Sequence, residues 1–504
     1  MGKESPLRID VEAIFARHPF AREILRRLRA AGHDAVLIGG IVRDALLAQL
    51  DRNRRGREYH PKDVDIATSA RPEEIKRLFP GPGWTAIEVG EAFGVLKLIA
   101  PDGREYEVAT FRTEGEYDGR WPAKVELVRD LEHDVRRRDL TINGLAARED
   151  GRVIDLVGGV EDLKARLIRT IGEPEERFRE DYLRMLRAIR AACQIDGRLD
   201  PKLSEAIKRT SSKILEISWE RIRDELLRIL GTPRAARGFR LLDEHGLLQH
   251  ILPELVATQG IAQPEKYHPE GDVFTHTLLA LEVADRFGFE PLVKLAILLH
   301  DVGKPLALKR SKGENMAGHE VIGERLAEGV CRRLRLSNDE TKLVKYLVRQ
   351  HMRVAQLPQM ALAKQVRFLK EGEAPGADLL DFRRRFPLFS KLLQLLIADC
   401  EASVHRSSGW LPVVHHAVGL LPHLKRLEEL ESARRLIDGH DILRMGVEEG
   451  PLVGKILNEV YDQILAGKIK SRREALEAAR ELATKLASSP HSQQGPSPSR
   501  KPRP

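Results

Sequence analysis

Two aspartates, Asp63 and Asp65, stand two residues apart in the run PKDVDIAT. Alternation along a strand sends both side chains to one face, where paired carboxylates repel unless a cation lies between them. Such a pair suits magnesium, which takes oxygen ligands and keeps positions open for phosphate oxygens. Two ions about 4 Å apart would activate an attacking hydroxyl and stabilise a departing phosphate group, which is the chemistry of phosphoryl transfer. Downstream, REYEVATFR reads as another strand with Glu105 and Glu107 on one face. Glu107 completes the expected catalytic set with Asp63 and Asp65.

A third feature precedes these strands. In IGGIVRDALL an apolar strand ends in Gly39 and Gly40 and a helix follows at once. Two glycines let the backbone approach an anion, and the free N–H groups of the helix start point at it. Arg43, one turn in, adds a fork of donors suited to a triphosphate. A Gly-Gly turn alone is commonly only a tight turn. The same turn followed by an Asp-x-Asp strand and an acidic strand, in that order, is a far more specific signal.

A separate constellation lies in HPEGDVFTHTLLAL, LAILLHDVGKP, GHEVIGE and LLIADCEAS. His276, the adjacent His300 and Asp301, and Asp399 form a mixed imidazole and carboxylate set. That mixture suits a divalent transition metal or magnesium better than a structural zinc. A metal there would lower the pKa of bound water and present it to a phosphate ester. His319 and His351 either complete a second metal position or bind substrate phosphate. Any single one of the 17 histidines is more often a structural residue. The His-Asp pair on an apolar helix, followed by Gly303 and Lys304, is harder to explain that way.

The elements that must carry these groups are legible in outline. Residues 1–155 alternate short apolar runs with helical patterns, an α/β or α+β head. Residues 156–255 turn helical, with amphipathic stretches such as EDYLRMLRAIRAAC and WERIRDELLRIL. A second helical block, 265–405, carries the histidines, and a helical segment follows over 406–486. Residues 487–504, rich in Ser and Pro, cannot repay the entropy of ordering and read as a disordered tail.

A chain of 504 residues with 42% hydrophobic residues must divide into several cores. Its net charge of +8 permits a polyanionic partner. Cys193, Cys331 and Cys400 are far apart and form no CxxC pair, which supports neither a disulfide framework nor a thiolate zinc site. No apolar run is long enough to cross a bilayer and the start lacks a secretory pattern, so the expected compartment is the cytoplasm.

Seven segments, GGIVRD, DVDIAT, EVATFRTEGEYDGRWP, RRDLTINGLA, IDLVGGVEDLKARLIRTIG, FREDYLRMLRAIRAA and ISWERIRDELLRIL, occur in one order. On them the chain resembles the class II tRNA nucleotidyltransferase and poly(A) polymerase family, from about Ala30 to Ala483. The resemblance implies a nucleotidyltransferase head, a helical neck and body that grip RNA, and a two-metal transfer from CTP and ATP to the 3′ end of tRNA. It places Gly40 and Arg43 at the triphosphate, Asp63 and Asp65 on magnesium, and Arg138 and Asp139 at ribose and phosphates. The helix bearing Glu-Asp-x-x-Arg acts in the family as a protein template, which here puts Asp181 and Arg184 at the incoming base. An ionised Asp181 only accepts and Arg184 only donates, a pattern that suits cytosine and adenine and not uracil or guanine. Arg187 and Arg190 continue that helix face and either place phosphates or steady the template.

Some positions depart from the family pattern: Leu140 replaces Phe, Tyr182 and Ala191 stand in the template helix, and the insert DRNRRGREYH is long. None removes a charged group that the chemistry needs. Some members carry an HD phosphohydrolase domain after the helical body, as the histidine block does here. CCA addition is the preferred activity. The rivals are an A-adding enzyme or poly(A) polymerase of the same family, and a metal phosphohydrolase whose head merely binds RNA.

Overall fold

A computed structural model of the chain describes residues 4–55, 64–81, 83–88, 94–115, 117–118, 121–122, 125–263, 271–374, 376–403, 408–465 and 468–487. Asp63 lies outside the described residues, as does nearly all of the stretch expected to be a disordered tail. The chain packs as two compact units. One joins the residues up to 355 with 391–410, and the other joins 356–390 with those from 411 onward. The segment 356–390, which lies inside the histidine block by sequence, thus packs with the C-terminal helices.

The head is built on an eight-stranded mixed sheet. Its order is Glu4–Arg8, Arg152–Ile154, Ala146–Ala147, Ala35–Ile38, Asp65–Thr68, Glu105–Thr110, Val95–Ile99 and Thr85–Glu88. Only Asp65–Thr68 and Glu105–Thr110 run parallel; the other neighbours are antiparallel. Val36, Ile38, Ala67, Phe111, Val135 and Ala146 form one core beneath it. Ala35–Ile38 is buried along its whole length, which is why it reads as a continuous apolar run and not as an alternating one.

Beyond the head the chain is mainly helical. Arg184–Ile195 packs against Trp219–Leu230 and Ala235–Glu244 through buried Leu186, Ile189, Leu226, Ile229 and Phe239. The helical expectation for 156–255 misses one feature, a parallel ladder between Leu167–Ile168 and Arg198–Leu199. Strands of two residues are too short for a period-2 pattern to appear.

Helices Val273–Phe287, Pro291–Leu299, Lys304–Arg310, His319–Arg333 and Asn338–Val354 follow, joined by the Asp399 end of Pro387–Ala402. Their attachment to the neck includes a buried lysine. Lys294, 2% exposed, donates to Asp285 Oδ1 at 2.6 Å and to the carbonyl of Thr232 at 3.0 Å. Asp285 in turn accepts the Ala236 N–H at 2.9 Å. In the second unit Ile437, Ile442, Ile456, Val460, Ile469 and Ala475 make a core of their own. Among the described residues no helix is long and apolar enough to cross a membrane.

Candidate active site and metal centre

Asp65 opens its strand half-buried and sits in register with Glu107 of the adjacent parallel strand. Register partners on neighbouring strands project to the same face, about 4.8 Å apart. Along Glu105–Thr110 exposure alternates, so Glu105 and Glu107 share that face while Tyr106 and Val108 enter the core. Lys97 pairs with Glu105 at 2.9 Å, which leaves Glu107 as the carboxylate beside Asp65.

The turn at Gly39 reaches these groups. Its φ of 82° is a left-handed conformation that other residues adopt with strain. A methyl placed on it would lie 3.5 Å from Nη1 of Arg138 and 3.7 Å from Oδ2 of Asp65. The loop, the acid and the arginine therefore converge on one spot. Gly40 begins the helix Gly40–Arg55. Arg138 is aimed by buried Asp134, whose Oδ2 accepts its Nη2 at 3.1 Å while Oδ1 accepts Arg137 at 2.7 Å. Burial would raise the Asp134 carboxyl, but the two guanidinium groups outweigh it and hold it below its ordinary value.

Arg43 is buried and already engaged. It donates to Asp44 at 2.7 Å and to Oδ1 of Asn143 at 2.8 Å. The other end of the Asn143 amide donates to Asp139 at 3.2 Å. Asp139 also accepts the Leu140 N–H at 2.8 Å and pairs with Arg187 at 2.7 Å. Burial works against its charge, yet Arg187 and these hydrogen bonds bring its carboxyl down to about 2. Asn143, unassigned by the sequence reading although it lies in RRDLTINGLA, thus couples Arg43 to Asp139.

Asp181 and Arg184, expected to read the base, are arranged differently from expectation. Asp181 and Arg184 do not share a helix: one helix ends at Glu180, Asp181 is extended with φ −161° and ψ 106°, and the next helix begins at Arg184. The cause is local. Oδ1 of Asp181 accepts the Leu183 N–H at 3.1 Å, a side-chain turn that competes with helix continuation. Its carboxylate is held by both guanidinium nitrogens of Arg221, at 2.6 and 3.1 Å, while Arg184 pairs with Glu180. Arg221 was not foreseen, because no local signal links residues 40 apart. Arg190 pairs with buried Glu225 at 2.7 Å, so it braces the neck.

The histidine block closes into one buried cluster. His276, His300 and Asp399 bring ligand atoms within 4.8 Å of one another, and so do Asp301, His319 and His351. Nε2 of His276 lies 3.0 Å from Oδ1 of Asp399. Burial would raise the Asp301 carboxyl, but His300 and Lys304, whose Nζ is 2.6 Å away, hold it well below the usual range. Burial instead pushes the His351 imidazole down to about 3. Gly303 makes the closure possible: a methyl there would stand 2.1 Å from the carbonyl oxygen of His319. The ring nitrogens and carboxylates fit a divalent cation.

The sheet, the glycine loop and the facing acids define a nucleotidyltransferase head, joined to a helical body and an HD-type centre. The chain matches the poly A polymerase head domain over residues 35–169, the probable RNA and SrmB-binding site of polymerase A over 198–258, and the HD domain over 273–375. It is 31% identical to a CCA-adding enzyme of Levilactobacillus brevis over 475 residues, 94% of this chain and 99% of that one. It is 32% identical to an A-adding tRNA nucleotidyltransferase of Deinococcus radiodurans over 454 residues, 88% of this chain and 94% of that one. The crystal structure of the Bacillus stearothermophilus CCA-adding enzyme in complex with CTP superposes with a TM-score of 0.54 at 26% identity, covering 94% of this chain and 99% of the other. The chain belongs to the tRNA nucleotidyltransferase and poly(A) polymerase family.

Proposed function

We propose that the chain adds or repairs the 3′-terminal CCA of tRNA from CTP and ATP, with Mg2+ as the head's cation. The observation that carries this is the register of Asp65 with Glu107 beside the Gly39 loop. Asp65 and Glu107, with Asp63 expected on the same strand face, supply oxygen ligands for magnesium. When bound, the ions lower the pKa of the attacking 3′ hydroxyl and neutralise charge on the departing pyrophosphate.

The chain's own groups do the rest. The backbone of Gly39 and Gly40 and the Arg138 guanidinium receive the triphosphate, and Arg43, steadied by Asn143, sets the helix start against it. Asp139 and Arg187 tie that pocket to the neck. Asp181, aimed by Arg221, offers an acceptor to the base edge and Arg184, beside Glu180, a donor. The acceptor arm of tRNA is read by shape and phosphates, for which the Lys and Arg of the body serve. Cysteines 193, 331 and 400 are buried thiols, and burial pushes two of them, Cys193 and Cys331, up to about 12, in keeping with a reducing cytoplasm.

The test supplies tRNAs ending before CC, after C and after CC with labelled CTP or ATP separately. Stepwise C, C and A incorporation is expected. Incorporation of A alone transfers the chain to the A-adding reading, the activity for which the Deinococcus relative is named. For the histidine centre the proposed activity is hydrolysis of a phosphoester. A metal phosphohydrolase with an idle head would keep its main activity in Asp65→Ala.

A further inference from the structure

Arg177 stands in the helix Pro174–Glu180, about one turn before the break at Asp181. Buried Pro174 and Phe178 fix that helix in place. The main-chain carbonyl of Arg177 serves both residues proposed to read the base: the Asp181 N–H donates to it at 3.4 Å and Nη1 of Arg184 at 3.0 Å. A carbonyl oxygen has two lone pairs and can accept both bonds.

The side chain of Arg177 reaches Arg184 by a second route. Its Nη1 donates to both carboxylate oxygens of Glu180, at 3.0 and 3.1 Å, and Glu180 in turn pairs with Nη1 of Arg184. Its Nε leaves the helix and donates to the Ile171 carbonyl at 2.8 Å. The guanidinium lies over Gly172, whose φ is 87° and where a methyl would stand 3.4 Å from Nε. Ile171 belongs to a segment that runs antiparallel to the arginine motif: Leu140 bridges Thr170, and the Ile171 N–H donates to the Asp139 carbonyl at 3.1 Å. Ion pairs along an exposed helix contribute little. This one is partly buried, with side-chain exposures of 22% for Arg177 and Glu180 and 10% for Arg184, and it is tied to main chain outside the helix.

We infer that Arg177 is a positioning residue for base selection: through its carbonyl and through Glu180 it fixes the Arg184 guanidinium at a set place relative to Asp139. Arg184 is a long side chain with many rotamers, and at the first position of its helix it has no preceding turn to rest on. Both bonds grip one corner of its planar fork, which sets the direction in which the fork points. Among the described residues Glu180 pairs with Arg177 and Arg184, so removing the Arg177 side chain turns the Arg184 fork toward the carboxylate and away from the base. The inference rests on the proposed reading of the base by Asp181 and Arg184.

The experiment measures kcat/KM for CTP and for UTP with the full-length protein and tRNA that ends before CC. Arg177→Ala should lower the CTP/UTP ratio about 5-fold or more. Inhibition by inorganic tripolyphosphate, which has no base, should stay within about twofold of wild type, since its contacts are made in the head. In an Arg184→Ala background the same substitution should lower the ratio no further, because residues that act through one contact are not additive. An unchanged ratio in Arg177→Ala, an equal fall in both backgrounds, or a parallel loss of tripolyphosphate inhibition overturns the inference and makes Arg177 a structural support. A wild-type ratio in Arg184→Ala overturns the reading of the base itself, and the inference with it. Should Arg177→Ala fail to fold, Arg177→Lys decides. One ammonium cannot replace Nε at Ile171 and Nη1 at Glu180 together, so the ratio should still fall, and an unchanged ratio there overturns the inference.

Discussion

Asp139 of the head and Arg187 of the neck helix meet as a buried ion pair 2.7 Å apart. Asp139 is 6% exposed and also collects Asn143 and the Leu140 amide. The carboxylate that the family resemblance assigns to ribose and phosphates is thus also the point where the proposed nucleotide pocket is fastened to the helix proposed to read the base.

That pair has a pH signature. Asp139 titrates near 2 in the folded chain against 3.8 for the free carboxyl, so its contribution is fully present above about pH 4 and is lost as pH falls through 2. The contribution is on the order of 2 kcal/mol at neutral pH. Urea midpoints of wild type and Asp139→Asn should differ at pH 7 and converge toward pH 2. A difference that stays constant over that window would contradict the assignment.

Replacing Asp65 or Glu107 by alanine should reduce nucleotide incorporation by about 10³-fold or more. Affinity for tRNA should stay within about threefold, since it comes mainly from phosphate contacts made elsewhere. Filter binding beside single-turnover incorporation separates the two quantities.

Arg221→Ala should loosen base selection. The bidentate pair aims the Asp181 carboxylate, and a charged hydrogen bond of this kind is worth about 1.5–3 kcal/mol. Discrimination of CTP over UTP, read as the ratio of kcat/KM values, should fall about 10-fold or more. Unchanged discrimination with lower overall activity would reduce Arg221 to a structural support.

Gly303→Ala should disable the histidine centre and spare the head. The added methyl has no room beside the His319 carbonyl and must push the helix His319–Arg333 outward. Overpacking of this kind costs about 1–3 kcal/mol. Metal retained after dialysis should drop sharply while nucleotide incorporation at 25 °C persists.

How much of this was readable beforehand follows from the range of each signal. The strand ending at Gly39, the strand at Asp65 and the acidic strand at Glu107 are short-range patterns, and each stands where the sequence suggested. The histidines were legible as ligand types, and the fold gathers His276, His300, Asp301, Asp399, His319 and His351 into one cluster. Pairings across long loops were not legible: Arg221 with Asp181, Arg190 with Glu225 and Lys294 with Thr232 depend on how helices pack. Helix periodicity also misled at Asp181, where a side-chain turn overrides a pattern that continues on either side.

Lys294 carries a last consequence. Its ammonium joins the neck to the histidine block, donating to the Thr232 carbonyl on one side and to Asp285 on its own side, while Asp285 accepts the Ala236 N–H of the neck. Separating the two would strip these buried groups of the hydrogen bonds that cross between neck and block, each worth about 0.5–1.5 kcal/mol and more where one partner is charged. The neck and the histidine block are therefore expected to lose their structure together, and neither to be a detachable cassette.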